Sequence, residues 1–424
     1  MIKNEQVIGY LPDERPQFWK LLAYAIQQVI VMFPATVAVA IITGFHISTT
    51  IFASGLATLC FILVTGRKIP LYYGSSFSYI AAIGSLMASE ALAGYTLNDK
   101  IAIAQFGIVM SGFVSIAAGI IVNRFGQDTI EKILPASITG PIAMVIGLTL
   151  AGTALQDAAS IAIDAAGTPA VPESQAAFAT NMAWTVSLIT LIATILFSVY
   201  LKGFAGQIPL LLGPIAGCLA AFIIRMTTGV DLFKVLPETA NSGFFALPIF
   251  TLPKPSWMAV AAIMPVAIAT IPESTAHIYQ LDIYVNDLAN KKKAGKRYKI
   301  AELLGLNLIG DGLGDIVAGL IGGPAGTNYG ENISAMAITR VFSIPVLAAA
   351  SIIAMVISCF TPLINAIYSI PASVIGGMEI YLFGAIAAQG VAIMIEKKVD
   401  MFSSKNIAVI ATIMVIGLGG QYAY

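Results

Sequence analysis

Two short segments of similar composition interrupt long apolar stretches of this chain. Residues 73–78 read YGSSFS and residues 329–334 read YGENIS, so each combines glycine with polar side chains. Backbone that leaves the helical path inside a membrane must have its N–H and C=O groups satisfied by protein or by a cavity. A helix that begins there presents free N–H groups at its positive end. The two segments therefore predict two half-length helices whose starts form a site for a small polar molecule.

Acidic residues at membrane depth add a second kind of chemistry. Glu331 lies at the start of the second segment, and Glu273 follows Pro272 inside another apolar stretch, with His277 four residues later on the same helical face. A charged carboxylate near the bilayer centre costs about 2.5–3.5 kcal/mol, so such a residue is normally protonated, paired or functional. We expect Glu273 to carry a proton. Alternatively, Glu331 only caps its helix, and His277 is a core histidine bonded to backbone.

Composition defines the class of protein in which these residues lie. Of 424 residues, 58% are hydrophobic and 10% are charged, and the mean hydropathy is +0.88, which predicts an all-α polytopic membrane protein. The net charge is zero, so we expect no nucleic-acid partner. The three cysteines lie far apart within apolar stretches, without metal-ligand spacing. We expect no cofactor and no bound metal.

Hydropathy and charge together predict the topology. We count thirteen spans of about 20 residues, of which the third (71–88) and the tenth (328–340) are the interrupted ones. With the N-terminus inside, 18 of the 22 Lys and Arg residues fall on the inner side. We therefore expect a multi-pass protein of the cell (inner) membrane with a cytoplasmic N-terminus and no signal peptide. The basic run 291–299 is then an inner anchor and not a nucleic-acid patch.

An internal repeat relates the two halves of the chain. The tripeptide PAS occurs at 135–137 and again at 371–373, an offset of 236 residues, and the first and eighth spans share that offset. A seven-span unit that occurs twice enters the membrane from opposite sides, because seven is odd, and forms an inverted repeat. That symmetry would bring residues 69–74 and 325–330 together as a short antiparallel ladder. Fourteen spans are predicted, and we expect the fourteenth to be absent from this chain.

The second segment also carries a family signature. Residues 323–333 read GPAGTNYGENI and residues 336–340 read MAITR. This signature resembles that of the nucleobase ascorbate transporter family, in particular its bacterial uracil permease branch. Ile69 and Pro70 before the first segment, and Glu273 spaced from His277 as Glu-x-x-x-His, resemble two further family motifs. The likeness covers essentially the whole chain.

The resemblance implies an architecture and an activity. It implies proton-coupled nucleobase uptake, most of all of uracil, by alternating access between a core domain (18–131 and 256–360) and a gate domain (132–255 and 361–424). Sodium stays an alternative coupling ion, and a homodimer through the gate domain is compatible with the resemblance. Small and kinking residues are expected to give the gate helices close contact with the core: Gly140, Pro141, Gly376 and Gly377.

The resemblance also implies roles for single residues. Glu273 and Glu331 would bind the base through their side chains, and His277 would support Glu273 in proton coupling. Phe77 and Gly330 would donate backbone amides. The predicted substrate-binding residues are Glu273, Glu331, Phe77, Gly330, Tyr329 and Ser76. A pyrimidinedione alternates N–H donors with C=O acceptors on a flat ring, which carboxylates, helix-start amides and an aromatic ring would complement.

The chain departs from the family pattern at two positions, and other interpretations stay open. Gln28 replaces the usual histidine and Ser334 the usual glycine, so a purine such as xanthine or urate is an alternative substrate. The related sulfate and bicarbonate carriers share the expected fold, but two carboxylates would repel an anion. The GLGD pattern at 312–315 is that of an intramembrane aspartyl protease, although no second aspartate lies opposite it within an apolar span.

Overall fold

The computed structural model describes residues 9–126, 132, 134–161, 172–236 and 243–420. Within these residues the chain is mainly helical, and nine helices are long and apolar enough to cross a membrane. Three shorter apolar helices accompany them: Phe77–Ala88, Ile344–Ile357 and Ser404–Gly419. The predicted class, an all-α polytopic membrane protein, is confirmed. The count of thirteen spans stays a prediction.

The first half of the described chain contains one short strand among its helices. In chain order its elements are α1 (Phe18–Thr43), α2 (Ile47–Val64), β1 (Tyr73–Ser75), α3 (Ile80–Ala88), α4 (Leu97–Phe125), α5 (Ala136–Thr149), α6 (Ala151–Ala159), α7 (Ala176–Tyr200) and α8 (Pro209–Thr228). A single 3-10 turn, Phe77–Tyr79, leads from β1 into α3. The third predicted span is therefore part strand and part short helix.

The second half repeats this pattern of helices around one strand. Its elements are α9 (Trp257–Ile263), α10 (Ala267–Lys291), α11 (Leu304–Ile321), β2 (Gly326–Asn328), α12 (Gly330–Thr339), α13 (Ile344–Ile357), α14 (Thr361–Tyr368), α15 (Ala372–Glu396) and α16 (Ser404–Gly419). The ten-residue α12 directly follows β2. The tenth predicted span is thus also a strand joined to a half-length helix.

The eighth predicted span is broken near its start. A 3-10 turn, Met264–Val266, separates α9 from α10. Pro265 lies in this turn, and proline both lacks an N–H group and clashes with the preceding helical turn. The helix then resumes and continues through Pro272 as far as Lys291, so the predicted basic anchor 291–299 begins at the last residue of α10.

Two compact units divide the chain. Unit 1 comprises Met1–Lys132 and Leu247–Cys359, and unit 2 comprises Ile133–Ala246 and Phe360–Tyr424. In unit 1, α4 and α11 approach closely at glycines: a Cβ atom on Gly112 would lie 2.5 Å from the carbonyl oxygen of Gly312. Small residues allow this approach between membrane helices, where dispersion contacts supply much of the association energy.

In unit 2 the repeated PAS tripeptides open two helices. Pro135 and Pro371 occupy the N-cap positions of α5 and α15, with ψ of 157° and 141°. Gly140 lies against Gly390 of α15, whereas Gly376 and Gly377 lie against α6 and α7. The nearest neighbours of these glycines therefore belong to unit 2 itself. They allow the helices of unit 2 to pack together. Our prediction that they also serve contact with the core stays a prediction.

Candidate functional site

The two interrupted segments meet as an antiparallel pair of strands within unit 1. Tyr73 lies opposite Asn328, Gly74 opposite Thr327 and Ser75 opposite Gly326. Backbone bonds extend the pairing at both ends, from the Ser76 N–H to the Ala325 carbonyl (3.0 Å) and from the Tyr329 N–H to the Tyr72 carbonyl (2.9 Å). All six strand residues are buried. The predicted antiparallel pairing is confirmed, although on the first side it involves residues 72–76 and not 69–74. It satisfies backbone groups that have no water to bind.

Asp315 of α11 stabilises this strand pair through hydrogen bonds to both strands. Its Oδ1 accepts hydrogen bonds from the Gly326 N–H (2.7 Å) and from the Tyr73 hydroxyl. The ring of Tyr73 lies over Gly314, where a Cβ atom would come within 2.6 Å of it. The aspartate of the GLGD pattern therefore binds the unwound segment.

A second buried network ties the neighbouring elements to β2. The Asn328 amide donates to Asn307 (3.1 Å), to Ser274 (3.2 Å) and to Asp311 (3.2 Å), and the Ser274 hydroxyl donates to Asp311. These residues join α10, α11 and β2. Our sequence reasoning did not identify Ser274 or Asn307. The signal was present, since each is a polar residue within an apolar span.

Two short helices begin immediately after the strands. At the start of the turn leading to α3, the Ser76 hydroxyl accepts a hydrogen bond from the Ser78 N–H (3.3 Å). Tyr329 occupies the N-cap of α12, and its side chain makes no capping bond. The carboxylate of Glu331 instead accepts a hydrogen bond from its own N–H. Both helix starts therefore retain backbone donors beside partly exposed residues, Phe77 and Gly330.

The side chains of Glu273 and Glu331 lie close together. The Glu273 carboxyl is hydrogen-bonded to the Ser78 side chain and is close enough to Glu331 for the two charges to interact. Ser78 follows Phe77, so one carboxyl reaches the first helix start and the other lies at the second. Both glutamates are partly exposed, whereas Ser274 and Asn332 next to them are buried. The two side chains therefore lie close together within unit 1, in a region between the two helix starts that we call the recess.

His277 lies one turn after Glu273 and packs against the start of α12. A Cβ atom on Gly330 would lie 2.8 Å from Nε2 of His277. The imidazole is hydrogen-bonded to the backbone of Asn328, and its Nδ1 has no hydrogen-bond partner. The backbone bond agrees with the alternative interpretation of a core histidine. The free Nδ1 leaves one ring nitrogen available to another group.

Ser76 and Tyr329 are more deeply placed than the other predicted substrate-binding residues. Their exposed fractions are 1% and 3%. The Tyr329 hydroxyl is hydrogen-bonded to Thr36 (2.8 Å) and donates to the Ser75 carbonyl (3.1 Å), and its ring covers Gly74. Both residues thus support the backbone of the site, and their contact with a substrate stays a prediction.

Gln28 supports the second helix start from α1. Its side-chain oxygen accepts a hydrogen bond from the Asn332 amide (2.7 Å), and its backbone carbonyl accepts another (3.0 Å). Gln28 is 1% exposed. With glutamine in place of the usual histidine, α1 still makes a buried polar contact with Asn332, the residue that follows Glu331.

The recess contains acidic side chains and no paired basic ones in the described part of the chain. In the described part of the chain, no Lys or Arg lies within ion-pair distance of Glu273 or Glu331. No group of three or more His, Cys, Asp or Glu side chains that could hold a metal ion occurs there either. The arrangement offers two carboxyl acceptors and two sets of N–H donors, which suits a flat ligand that has both donors and acceptors on its edge.

Comparison with solved structures identifies the fold. The chain aligns with the transmembrane domain of a cyanobacterium bicarbonate transporter, BicA, with a TM-score of 0.63 and 15% identity, over 95% of each chain. The fold is the seven-plus-seven inverted repeat of membrane transporters.

Sequence comparison identifies the family. The Permease family model, Xan_ur_permease, matches residues 19–423. The chain is 34% identical over 414 residues to the uracil permease of Bacillus caldolyticus, covering 96% of this chain and 87% of that protein. It is 32% identical over 410 residues to the putative pyrimidine permease RutG of Escherichia coli (strain K12), covering 96% and 85%. The chain belongs to the Permease family. It is a multi-pass membrane transporter and not an enzyme, so the protease alternative is wrong.

Proposed function

We propose that this transporter imports a nucleobase, with uracil as the preferred substrate, by proton-coupled alternating access. One observation carries the proposal: Glu273 and Glu331 interact beside the starts of two half-length helices. Relatives that are uracil and pyrimidine permeases support the substrate class. Unit 1 would act as the core domain and unit 2 as the gate domain.

The chemistry of the recess supports a pyrimidinedione. Its ring N–H groups would donate to the carboxyls of Glu273 and Glu331, and its carbonyl oxygens would accept from the backbone N–H groups near Phe77 and Gly330. The Phe77 ring is partly exposed and would pack on the base. A site that makes paired polar contacts rejects analogues lacking them, because its own buried groups would be left without partners.

Proton coupling would use the acidic side chain whose environment changes most on substrate entry. Glu273 has a hydroxyl partner, Ser78, and a neighbouring carboxyl, so a proton on one of the two acids reduces their repulsion. We propose that Glu273 is protonated when the base is bound and that proton and base are released together inside. His277, with one free ring nitrogen, would assist.

Uptake of labelled uracil into cells that express Glu273→Gln or Glu331→Gln tests the proposal. Each amide replaces an acceptor oxygen by a donor, so we expect uptake to fall at least tenfold, which corresponds to about 1.4 kcal/mol. Glu302→Gln is the matched control in the same unit, because Glu302 is exposed and pairs with Lys299 at 3.0 Å. Parental uptake with unchanged pH dependence in either test variant would contradict the assigned roles.

A purine is the second candidate substrate, because Gln28 and Ser334 differ from the family pattern noted above. Competition of uracil, thymine, xanthine, hypoxanthine and urate against one labelled base separates the candidates. Replacing sodium by choline in the same assay distinguishes proton from sodium coupling.

We further propose a cytoplasmic N-terminus in the cell (inner) membrane, which the distribution of 18 of 22 basic residues supports. A homodimer through unit 2 stays a prediction.

A further inference from the structure

A second buried carboxyl lies in unit 2. Glu379, two turns into α15, has an exposed fraction of 0%. Neither of its carboxylate oxygens receives a hydrogen bond from an amide, hydroxyl or ammonium group in the described part of the chain. A buried carboxylate without donors is costly, so its environment must compensate the charge or remove it.

The neighbour of Glu379 is another acid. The carboxyl of Asp157, at the end of α6, lies within hydrogen-bonding distance of it. Two ionised carboxylates have no donor between them and repel each other, whereas a carboxylic acid donates to a carboxylate. The contact of Asp157 with Glu379 is therefore satisfied only when the two side chains share a proton.

Packing brings the two acids together. Gly376 lies one turn before Glu379 on the same face of α15, and a Cβ atom there would collide with the backbone of Ala158. The missing side chain lets the end of α6 approach α15 closely. The approach places Asp157, the residue before Ala158, next to Glu379.

A cation completes the cluster. Lys234, in the segment that follows α8, attracts both carboxyls without forming an ion pair within 4 Å of either. Its side chain is partly buried, and its backbone N–H donates to the Ser369 carbonyl (3.1 Å), which holds the segment in place. One ammonium balances one negative charge, so the cluster is neutral with a single shared proton.

The described elements packed against α15 bring no further charge to the cluster. They are α5, α6, α7 and α8. Helices α5 and α7 contain no charged residue, and Asp157 is the only one in α6. Arg225 of α8 pairs with Asp231 at 3.3 Å. The other acid of α15, Glu396, is exposed at its far end.

We propose that Asp157, Glu379 and Lys234 form a proton-binding site made of unit 2 residues alone. The two carboxyls hold one proton between them, and the ammonium balances the remaining negative charge. Release of the proton to solvent leaves two adjacent carboxylates, whose repulsion separates α6 from α15. The packing of unit 2 then depends on pH independently of the acids in unit 1.

Infrared difference spectra of the purified full chain between acidic and alkaline pH test this site. The carbonyl stretch of a protonated carboxylic acid disappears when the proton leaves. The wild-type difference spectrum should contain this band from one shared carboxylic acid per chain. We expect Asp157→Asn and Glu379→Gln to lose the band, and the matched control Glu396→Gln on the same helix to keep it. Spectra of both test variants that superimpose on the wild type would overturn the proposal.

Three further measurements test the site with two other variants and with a change of cation. Glu379→Asp keeps both carboxyls but increases the distance between them, which weakens their hydrogen bond. The carbonyl band of the shared acid must therefore shift, and an unchanged band would contradict the site. Lys234→Gln removes the balancing charge, so loss of the proton must require a higher pH. Replacing sodium by choline must leave the wild-type difference unchanged, because a sodium-dependent difference would mean that a metal cation occupies the pair.

Discussion

At the scale of single residues, Gly330 is a point where α12 packs against His277 of α10. It begins a half-length helix, and a side chain there would meet the ring of His277 at 2.8 Å. His277 is held by the backbone of Asn328 and has little freedom to move aside. The glycine is therefore required by the contact and not by its backbone angles.

Gly330→Ala should abolish most labelled-base uptake while the protein still folds. Alanine favours the helix by about 0.5–1 kcal/mol relative to glycine, so any loss of function reflects the displaced ring. Gly84→Ala in α3 is the matched control, because nothing lies within 4 Å of a Cβ atom at that position. Uptake by Gly330→Ala equal to that of the control would show that the contact has no role.

At the scale of elements, the two three-residue strands depend on side chains from their neighbours. Asp315 accepts the Gly326 N–H and the Tyr73 hydroxyl, while the Thr58 and Ser54 hydroxyls donate to the Tyr73 carbonyl (2.9 Å each). A pair this short has few ladder bonds of its own. Its stability therefore comes from α2 and α11.

Asp315→Ala should destabilise the purified protein in thermal unfolding. The change leaves a buried N–H group and a buried hydroxyl without partners, at about 1–3 kcal/mol for each. Asp315→Asn keeps an acceptor oxygen for the Gly326 N–H, so we expect it to lose less stability than the alanine variant. Equal melting temperatures for wild type and Asp315→Ala would show that Asp315 does not hold the strands.

At the scale of the whole molecule, the start of the chain is bound to segments about 280 to 330 residues further along. The Tyr10 N–H donates to the Arg340 carbonyl (2.8 Å), and the Phe342 N–H donates to the Tyr10 carbonyl (2.7 Å). Lys292 contacts Glu14 at 2.6 Å. These contacts join the lead-in of α1 to the end of α12 and to the basic run after α10.

Asp13→Asn should weaken this attachment in a pH-dependent way. Hydrogen bonds from Lys296 and from Tyr298 hold the pKa of Asp13 below its ordinary value of 3.8. The contribution of Asp13 is therefore present above that ordinary value and is lost as the pH falls through the lowered one. Lys296 and Asp13 are about half exposed, so the effect should not exceed about 1 kcal/mol.

Thermal unfolding of wild type and Asp13→Asn at neutral and at strongly acidic pH measures this contribution. The difference in melting temperature should be small at neutral pH and should vanish in acid. Asp287→Asn is the control, since Asp287 pairs with Lys291 within α10 and does not contact the lead-in. A difference that persists in acid would mean that Asp13 acts through something other than its charge.

Much of the fold followed from local features of the sequence. The two half-length helices were predicted, because they depend on glycine, polar residues and hydropathy within about ten positions. The strand pair was predicted from the inverted repeat. The strand β1 lies at 73–75, whereas we expected residues 69–74. Pairing selects the register, since the partner β2 and Asp315 decide which backbone groups are satisfied.

The site was only partly predictable. Glu273, Glu331 and His277 stood out as ionisable residues in apolar spans. Ser78 as the partner of Glu273 and Gln28 as the partner of Asn332 did not, because hydroxyl and amide residues occur in many spans. Ser76 and Tyr329 are buried against the chain itself, and their contact with a substrate stays a prediction.

The amino-acid order alone determined the membrane class, the inverted repeat and the identity of the site's acids, since hydropathy, charge distribution and motif spacing are properties of the linear chain. Only the tertiary structure decided that Glu273 interacts with Glu331, and that Asp157 meets Glu379. The members of these pairs are 58 and 222 positions apart. Contacts over such separations depend on helix packing, and one missing side chain, at Gly330 or at Gly376, decides whether the helices come close enough.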